Sequence, residues 1–448
     1  MTKLMSLLKP ILTFWGLLIA FIICIYTSDY SKLLTSIPLD TYEYPKTFHP
    51  DIIYPILDNL SIDAIKLDLK MLINDLPPDR YYKSDNGLKS AIYFQNYLQN
   101  LKDNIKSDTL RELIEIETFK HEWKQPSILF KLNNSKENRN ENKQTVIIGC
   151  HIDSINLQFS NKDAPGVDDN LSGIVVILET IKNIINYLEK EEKNHLENSI
   201  EFHFYSAEEI GSVGSTEIFK QYREENKQII AMFQQDMTGY TEKTFESGEV
   251  EHFGLIKDYA SESMLSFTKL IIENYCSITY LETECGKICS DHISGLMYGY
   301  PSVYALESKL EYSNPYIHSI NDTIEHIDFN HIMEHIKLTI SLAIELTITK
   351  STMVTDSKIS DKVMFRYIDF MILLMMHHTK VFVYSVILFA CVIASIYNLY
   401  LDYRKSLRDN DGNNQVNEIE LPTEVERDGH EINKRSGPFP KGKNRKNL

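Results

Sequence analysis

The stretch SIEFHFYSAEEIG, residues 199–211, decides the fold. Its first half alternates residue types in a β-forming run, and it ends in two adjacent carboxylates, Glu208 and Glu209. Neighbouring side chains on a strand point to opposite faces, so two acids that serve one site need the strand to break beneath them. Gly211 and Gly214 lie where such a break would occur. The same pattern recurs. TVIIGCHIDS (145–154) is a buried strand ending in His151 and Asp153, and QIIAMFQQDMTG (228–239) is a strand ending in Asp236. Further strands are expected at SILFKL (127–132) and YPSVYALES (300–308). Between them lie helical patterns with apolar residues three or four apart: 61–73, 87–101, 169–192, a run ending at Tyr275, and 329–348. Strands alternating with helices predict an α/β fold with a mixed, largely parallel central sheet flanked by helices.

The polar residues concentrate just past the apolar cores of the strands, where open α/β sheets build their sites. Two further pieces join them. APGVDDNLSG (164–173) carries Asp168 and Asp169 on a loop entering a helix, and NPYIHSINDT (314–323) carries His318. Two imidazoles, four or five carboxylates and no thiolate suit Zn²⁺, Co²⁺ or Mn²⁺. The set exceeds the three protein ligands of a mononuclear catalytic site, and two ions sharing a carboxylate would use it fully. A further unligated carboxylate would then move a proton, so one of Glu208 and Glu209 is expected to bind metal and the other to act as the base.

HIDS, PGVDDNLSG, SAEEIGSVGS, QQDMTG, CGKICSDHISG and ESKLEYSNPYIHSINDT occur in one order along residues 151–323. In that order they resemble the co-catalytic zinc aminopeptidases, in particular the bacterial and fungal leucyl aminopeptidases, over about residues 75–350. The resemblance implies two Zn²⁺ ions, with His151 and Asp236 on the first, Glu209 and His318 on the second, and Asp169 bridging. It implies that Glu208 is the general base, that Asp153 orients His151, and that Asp168 is a neighbour and not a ligand. It also implies a Cys285–Cys289 disulfide in the substrate loop, and a side-chain pocket that includes Met237, Lys287, Ile288 and Ile317. The leucyl aminopeptidases tend to carry an aromatic between those cysteines, where this chain has Gly286, Lys287 and Ile288. Lys287 would either stabilise an oxyanion or change which side chains are accepted.

A net charge of −17 argues against nucleic acid as a partner. Residues 11–27, ILTFWGLLIAFIICIYT, follow Lys3 and Lys9 and read as an uncleaved signal anchor within an N-terminal segment 1–29. Residues 381–401 are uncharged and long enough to span a bilayer, with Arg404, Lys405 and Arg408 directly after them. The positive-inside rule places both ends in the cytosol and the catalytic domain, 45–350, in the lumen or outside the cell. Residues 351–380 are a juxtamembrane segment, and 402–448 read as a disordered cytosolic tail. The expected setting is therefore a membrane of the secretory system or the cell surface, with membrane lipid and peptides bearing a free N-terminus as partners. Asn59, Asn133, Asn170 and Asn321 begin N-x-S/T triplets, the last two within site motifs.

Three other readings compete. HIMEH, His331 to His335, fits the H-x-x-E-H pattern of a mononuclear site, but it sits in an amphipathic helix with no third ligand. A carboxypeptidase or dipeptidase would want an arginine clamp for a carboxylate, and none stands near the motifs. A non-catalytic receptor or scaffold on the same fold would be expected to lose ligands, whereas every ligand position here holds a competent residue.

Overall fold

The computed structural model describes residues 42–134, 144–158, 163–191, 196–286 and 289–349, the backbone of 352–353, and residues 397, 398 and 401. The expected spans, the juxtamembrane segment, the tail, Lys287 and Ile288 therefore lie wholly or almost wholly outside the described residues. The chain divides into two compact units, 1–373 and 374–448; the sheet, the helices around it and the candidate site all belong to the first.

Apart from the short helices Asp108–Arg111 and Glu242–Glu246, the helices and strands in chain order are β1 (Tyr42–Glu43), α1 (Pro50–Leu57), α2 (Ile62–Asp75), α3 (Asp85–Asp103), β2 (Ile114–Phe119), β3 (Ser127–Leu132) and β4 (Gln144–His151). They continue with α4 (Gly173–Lys190), β5 (Ser199–Tyr205), α5 (Val213–Glu224), β6 (Gln228–Gln235), β7 (His252–Ile256), α6 (Glu262–Tyr275) and β8 (Thr279–Thr283). The last are α7 (His292–Met297), β9 (Ser302–Leu306), α8 (Phe329–Ile348) and β10 (Thr352–Met353). Eight strands form one sheet in the order β2-β3-β5-β4-β6-β9-β7-β8. Its centre, β5-β4-β6-β9, is parallel throughout. Antiparallel pairings join β2 to β3, β3 to β5, and β7 to β9. The mixed, largely parallel sheet expected from the sequence is the sheet observed. Three strands not anticipated, β2, β7 and β8, lie towards its two edges.

The two faces of β5 are both covered. Ile200, Phe202 and Phe204 join the main core, while Tyr205 joins a second cluster with Ile218, Phe219 and Tyr222 of α5. Glu201 and His203 share that second face and are buried too, held by Lys227, Tyr222 and Tyr205. The alternation in SIEFHFY thus separates two buried faces, as expected for a strand inside a sheet covered on both sides.

Helix α4 packs against the sheet and α8. Among the described residues, Val167–Lys190 is the one helical stretch long and apolar enough to cross a membrane, and its apolar window is 78% buried, so it is a core helix. Each of its fully buried Val, Ile and Leu side chains contributes roughly 1.5–3 kcal/mol. The helix starts where Asn170 Oδ1 accepts the Gly173 amide at 3.0 Å. A Cβ on Gly173 would come within 2.5 Å of the Gln235 carbonyl oxygen, so only glycine lets α4 approach the end of β6 this closely. It ends at Lys190 and Glu191, where the sequence turns polar.

Candidate metal centre

The site stands past the carboxyl ends of the central strands. His151 is the last residue of β4, opposite Tyr205 of β5 in the parallel register. Ala207, just beyond β5, has φ 60°, and the carbonyl of Glu208 accepts the amides of Gly211 and Ser212 at 2.7 and 2.8 Å. That tight turn ends the strand and brings both glutamates to one site. Gly214 is required beneath it, because a Cβ there would lie 2.0 Å from the Ser206 carbonyl oxygen. Met237, after Asp236, and His318 also have positive φ, 53° and 55°. Backbone held in this unfavourable region clusters where function demands a particular side-chain direction.

Asp169 joins two groups of donors. His151 Nε2 lies 3.0 Å from Asp169 Oδ1 and 3.2 Å from Asp236 Oδ1. His318 Nε2 lies 3.1 Å from Asp169 Oδ2 and 2.8 Å from Glu209 Oε2. His151, Asp169 and Asp236 form one group able to hold a metal ion, and Asp169, Glu209 and His318 form the other. The five residues expected as ligands are therefore brought together, and Asp168 is in neither group. Asp168 instead accepts the Gly239 amide and the Asn314 side-chain amide, both at 2.9 Å.

Asp153 sits beneath both glutamates. Its two oxygens accept the amides of Glu208 and Glu209 at 3.0 and 3.2 Å. His151 Nδ1 is 3.1 Å from the Asp153 main-chain oxygen and 3.6 Å from its carboxylate. The residue thus fixes the Glu208–Glu209 turn as well as the imidazole. Asp236 accepts the Ser290 hydroxyl at 2.6 Å, and Tyr304 donates to the Asp236 carbonyl at 3.0 Å. Cys285 and Cys289 are disulfide-bonded and pack with Ile256, Tyr304 and Leu306. Met237 is buried, and Ile317 is half-buried beside His318.

The electrostatics ask for cations. Burial would lower His318, yet Asp169 and Glu209 outweigh it and lift the imidazole to about 11. His151 is likewise raised well above its ordinary value against burial, chiefly by Asp236. Burial lifts Glu209 to about 8, with Asp169 adding to it and His318 opposing. Divalent ions bound to neutral imidazoles would meet the same demand for positive charge. Glu209 Oε1 is buried with no hydrogen-bond partner, which leaves it free as a donor to an ion. The nitrogen and carboxylate donors, all buried or half-buried, fit zinc and similar divalent metals.

Other motifs fall elsewhere. Asp291 accepts from Ser215 at 2.6 Å and Gln234 at 3.2 Å, and His292 packs on Tyr304. His331 pairs with Glu251 at 2.8 Å and His335 with Gln235 at 2.7 Å, both on the buried face of α8 and outside either metal group. Two important residues received no role from the sequence. Asp322 accepts the amides of Asp168 and Asp169 at 2.9 and 3.0 Å, and Glu307, at the end of β9, accepts those of Tyr240 and Asn314, both at 2.8 Å. Glu307 follows the same strand-end rule as Asp236 and was legible by that rule.

Imidazoles and carboxylates converging at the ends of parallel strands define a candidate metal-binding site. Comparison with known proteins narrows the class. Residues 128–343 match peptidase family M28. Leucine aminopeptidase 1 of Blastomyces gilchristii is 42% identical over 268 residues, 60% of this chain and 67% of that protein. Leucine aminopeptidase 1 of Fusarium vanettenii is 38% identical over 314 residues, 70% of this chain and 77% of that one. The LapA aminopeptidase of Legionella pneumophila shares the fold, with TM-score 0.60 at 23% identity over 69% of this chain and 76% of that one. The chain belongs to peptidase family M28. It is a hydrolase of the metallo-aminopeptidase type.

Proposed function

We propose that this chain is a membrane-anchored aminopeptidase that holds two zinc ions and removes N-terminal residues from peptides. One observation carries the reading: two three-donor groups share a single carboxylate, Asp169. His151, Asp169 and Asp236 would hold one ion, and Asp169, Glu209 and His318 the other. Co²⁺ or Mn²⁺ would suit the same donors. When bound, such ions supply Lewis acidity to the attacking water and the scissile carbonyl.

The chain's own residues do the rest. Glu208 belongs to neither donor group, and burial raises its proton affinity well above the usual carboxylate range, with Asp291, Asp236 and Glu209 adding to the effect. It takes the proton of the attacking water and returns it to the leaving amine. Asp153 holds the amide of Glu208, and Ser212 donates to Glu208 Oε1 at 3.3 Å, which fixes the carboxyl's direction. Arg80 cannot serve as a carboxylate clamp, because it is buried and its guanidinium donates to three main-chain carbonyls. A free N-terminus is therefore favoured over a free C-terminus. Side-chain preference would be set by Met237, Ile317, Lys287 and Ile288 around the Cys285–Cys289 loop.

Strand β1 pairs antiparallel with β10, so the folded unit's entry and exit lie side by side. That supports two flanking anchors, 11–27 and 381–401, suspending the domain in the lumen or outside the cell with both ends cytosolic. The test uses amino-acyl anilides, free and N-acetylated, with zinc and then with chelator. Metal-dependent cleavage of only the free-amine substrates is expected; equal cleavage of both would remove the aminopeptidase reading. Protease added to sealed microsomes should trim the tail and spare the catalytic domain.

A further inference from the structure

Arg80 is 1% exposed, the largest fully buried side chain among the described residues. It lies in the loop before α3, far in sequence from every candidate ligand, and its side chain donates hydrogen bonds to main-chain carbonyls. That backbone lies beside the candidate ligands. Nε donates to the carbonyl of Ile152, the residue after His151, at 3.0 Å. Nη1 donates to the Pro165 carbonyl at 2.5 Å and Nη2 to that of Gly166 at 3.0 Å, at the start of the loop that carries Asp169. Its own amide donates to Ser154 Oγ at 3.0 Å, and that hydroxyl donates to the Ala164 carbonyl at 2.8 Å.

The third ligand-bearing loop is tied in through Gln125. Its side-chain nitrogen donates to the Arg80 carbonyl at 3.2 Å, and its oxygen accepts the Ser206 hydroxyl at 2.8 Å, directly before the Glu208–Glu209 turn. Trp123 Nε1 donates to the same Ser206 oxygen at 2.9 Å. Gly166 shows how tight the fit is. It has φ 52°, and a Cβ there would lie 2.7 Å from Arg80 Nη2.

We infer that Arg80 is a positioning residue for metal binding: its guanidinium, extended by Gln125, holds in register the three loops that carry His151, Asp169 and Glu209. Three donors in a fixed plane suit this task, since a planar fork can meet three carbonyls that a single ammonium cannot meet with the same geometry. The buried cation also lies within the field of an acidic site. Burial lowers Arg80 to about 10, and Asp322, Asp169, Asp153 and Glu209 keep it charged at neutral pH. A carbonyl cluster left without its donor would lose both hydrogen bonds and charge compensation.

This inference rests on the metal reading proposed above. The test compares the full chain with Arg80→Lys and Arg80→Met, each first shown to be folded by circular dichroism. Zn²⁺ affinity of the metal-free proteins is measured by chelator competition, and kcat and KM are measured after loading. Arg80→Met should weaken Zn²⁺ binding about 10–100-fold, as loss of an outer partner does at metal sites. Arg80→Lys should fall between it and the unmodified chain, with kcat reduced more than KM is raised. If Arg80→Met does not fold, Arg80→Lys alone decides. Folded variants that melt earlier but bind Zn²⁺ as the unmodified chain does would overturn the inference and leave the metal reading standing. A raised KM at unchanged kcat and affinity would overturn it too, by making Arg80 a substrate contact. An unmodified chain that binds no Zn²⁺ would overturn the metal reading first and this inference with it.

Discussion

At the scale of single residues, the two adjacent glutamates of SAEEIG point in different directions. Glu209 faces His318 at 2.8 Å within a metal group, while Glu208 faces Ser212 and stands outside both groups. A Glu208→Gln change keeps the shape and removes the proposed base. It should lower kcat about 10²–10⁴-fold while the metal content stays at the unmodified level, read by single-turnover kinetics and atomic absorption. A loss of metal in that variant would assign Glu208 as a ligand instead. The sequence led us to expect that one glutamate binds metal and the other moves the proton. It could not show that Asp153 spans both amides, because that depends on how far β4 and β5 extend beside each other.

At the scale of elements, the turn after β5 is set by close approach. Gly214→Ala would drive a methyl group into the Ser206 carbonyl. The expected result is a lower Tm together with a lower kcat, since the turn it displaces carries Glu208 and Glu209; unchanged kinetics would mean the turn tolerates the shift. The far face of β5 makes a separate prediction. Burial alone would raise Glu201, but Lys227 and His203 pull it well below the usual carboxylate range. A carboxylate whose folded pKa is depressed contributes stability above its unfolded value, about 4.3, and loses it as pH falls towards the folded value. Glu201→Gln should therefore cost about 1.5–3 kcal/mol at neutral pH, because half-buried Lys227 loses its charged partner. It should also flatten the fall of Tm with acidification below about pH 4.3, measured by scanning calorimetry. An acid limb as steep as that of the unmodified chain would place the titration elsewhere. The sequence marked this strand by its alternation, yet its polar residues are buried. Only the packing of α5 on that face encloses Glu201 and His203.

At the scale of the whole molecule, the candidate metal centre draws three strand ends and two long loops together. Removing metal should lower Tm, because whatever binds the folded state alone stabilises it in proportion to RT ln(1 + [L]/Kd). Chelation of the full chain, followed by Zn²⁺ titration, checks this by thermal shift; a Tm indifferent to metal would count against a folded-state centre. The sequence by itself determined the α/β class, the parallel core and a set of His and carboxylate residues at three strand ends and in two loops, while the choice of five ligands within that set came from the family resemblance. The sequence could do so because apolar periodicity and strand-terminal polarity are local properties of the chain. The strands β2, β7 and β8, towards the two edges of the sheet, were not legible in this way, being short and only partly apolar. The roles of Arg80, Asp322 and Glu307 waited on the tertiary structure for a different reason. Each acts on backbone amides or carbonyls far away in sequence, such as the Asp322 carboxylate on the amides of Asp168 and Asp169. A buried polar group declares its function only through the partner that satisfies it, and that partner is fixed by which loops the folded sheet brings to the same end.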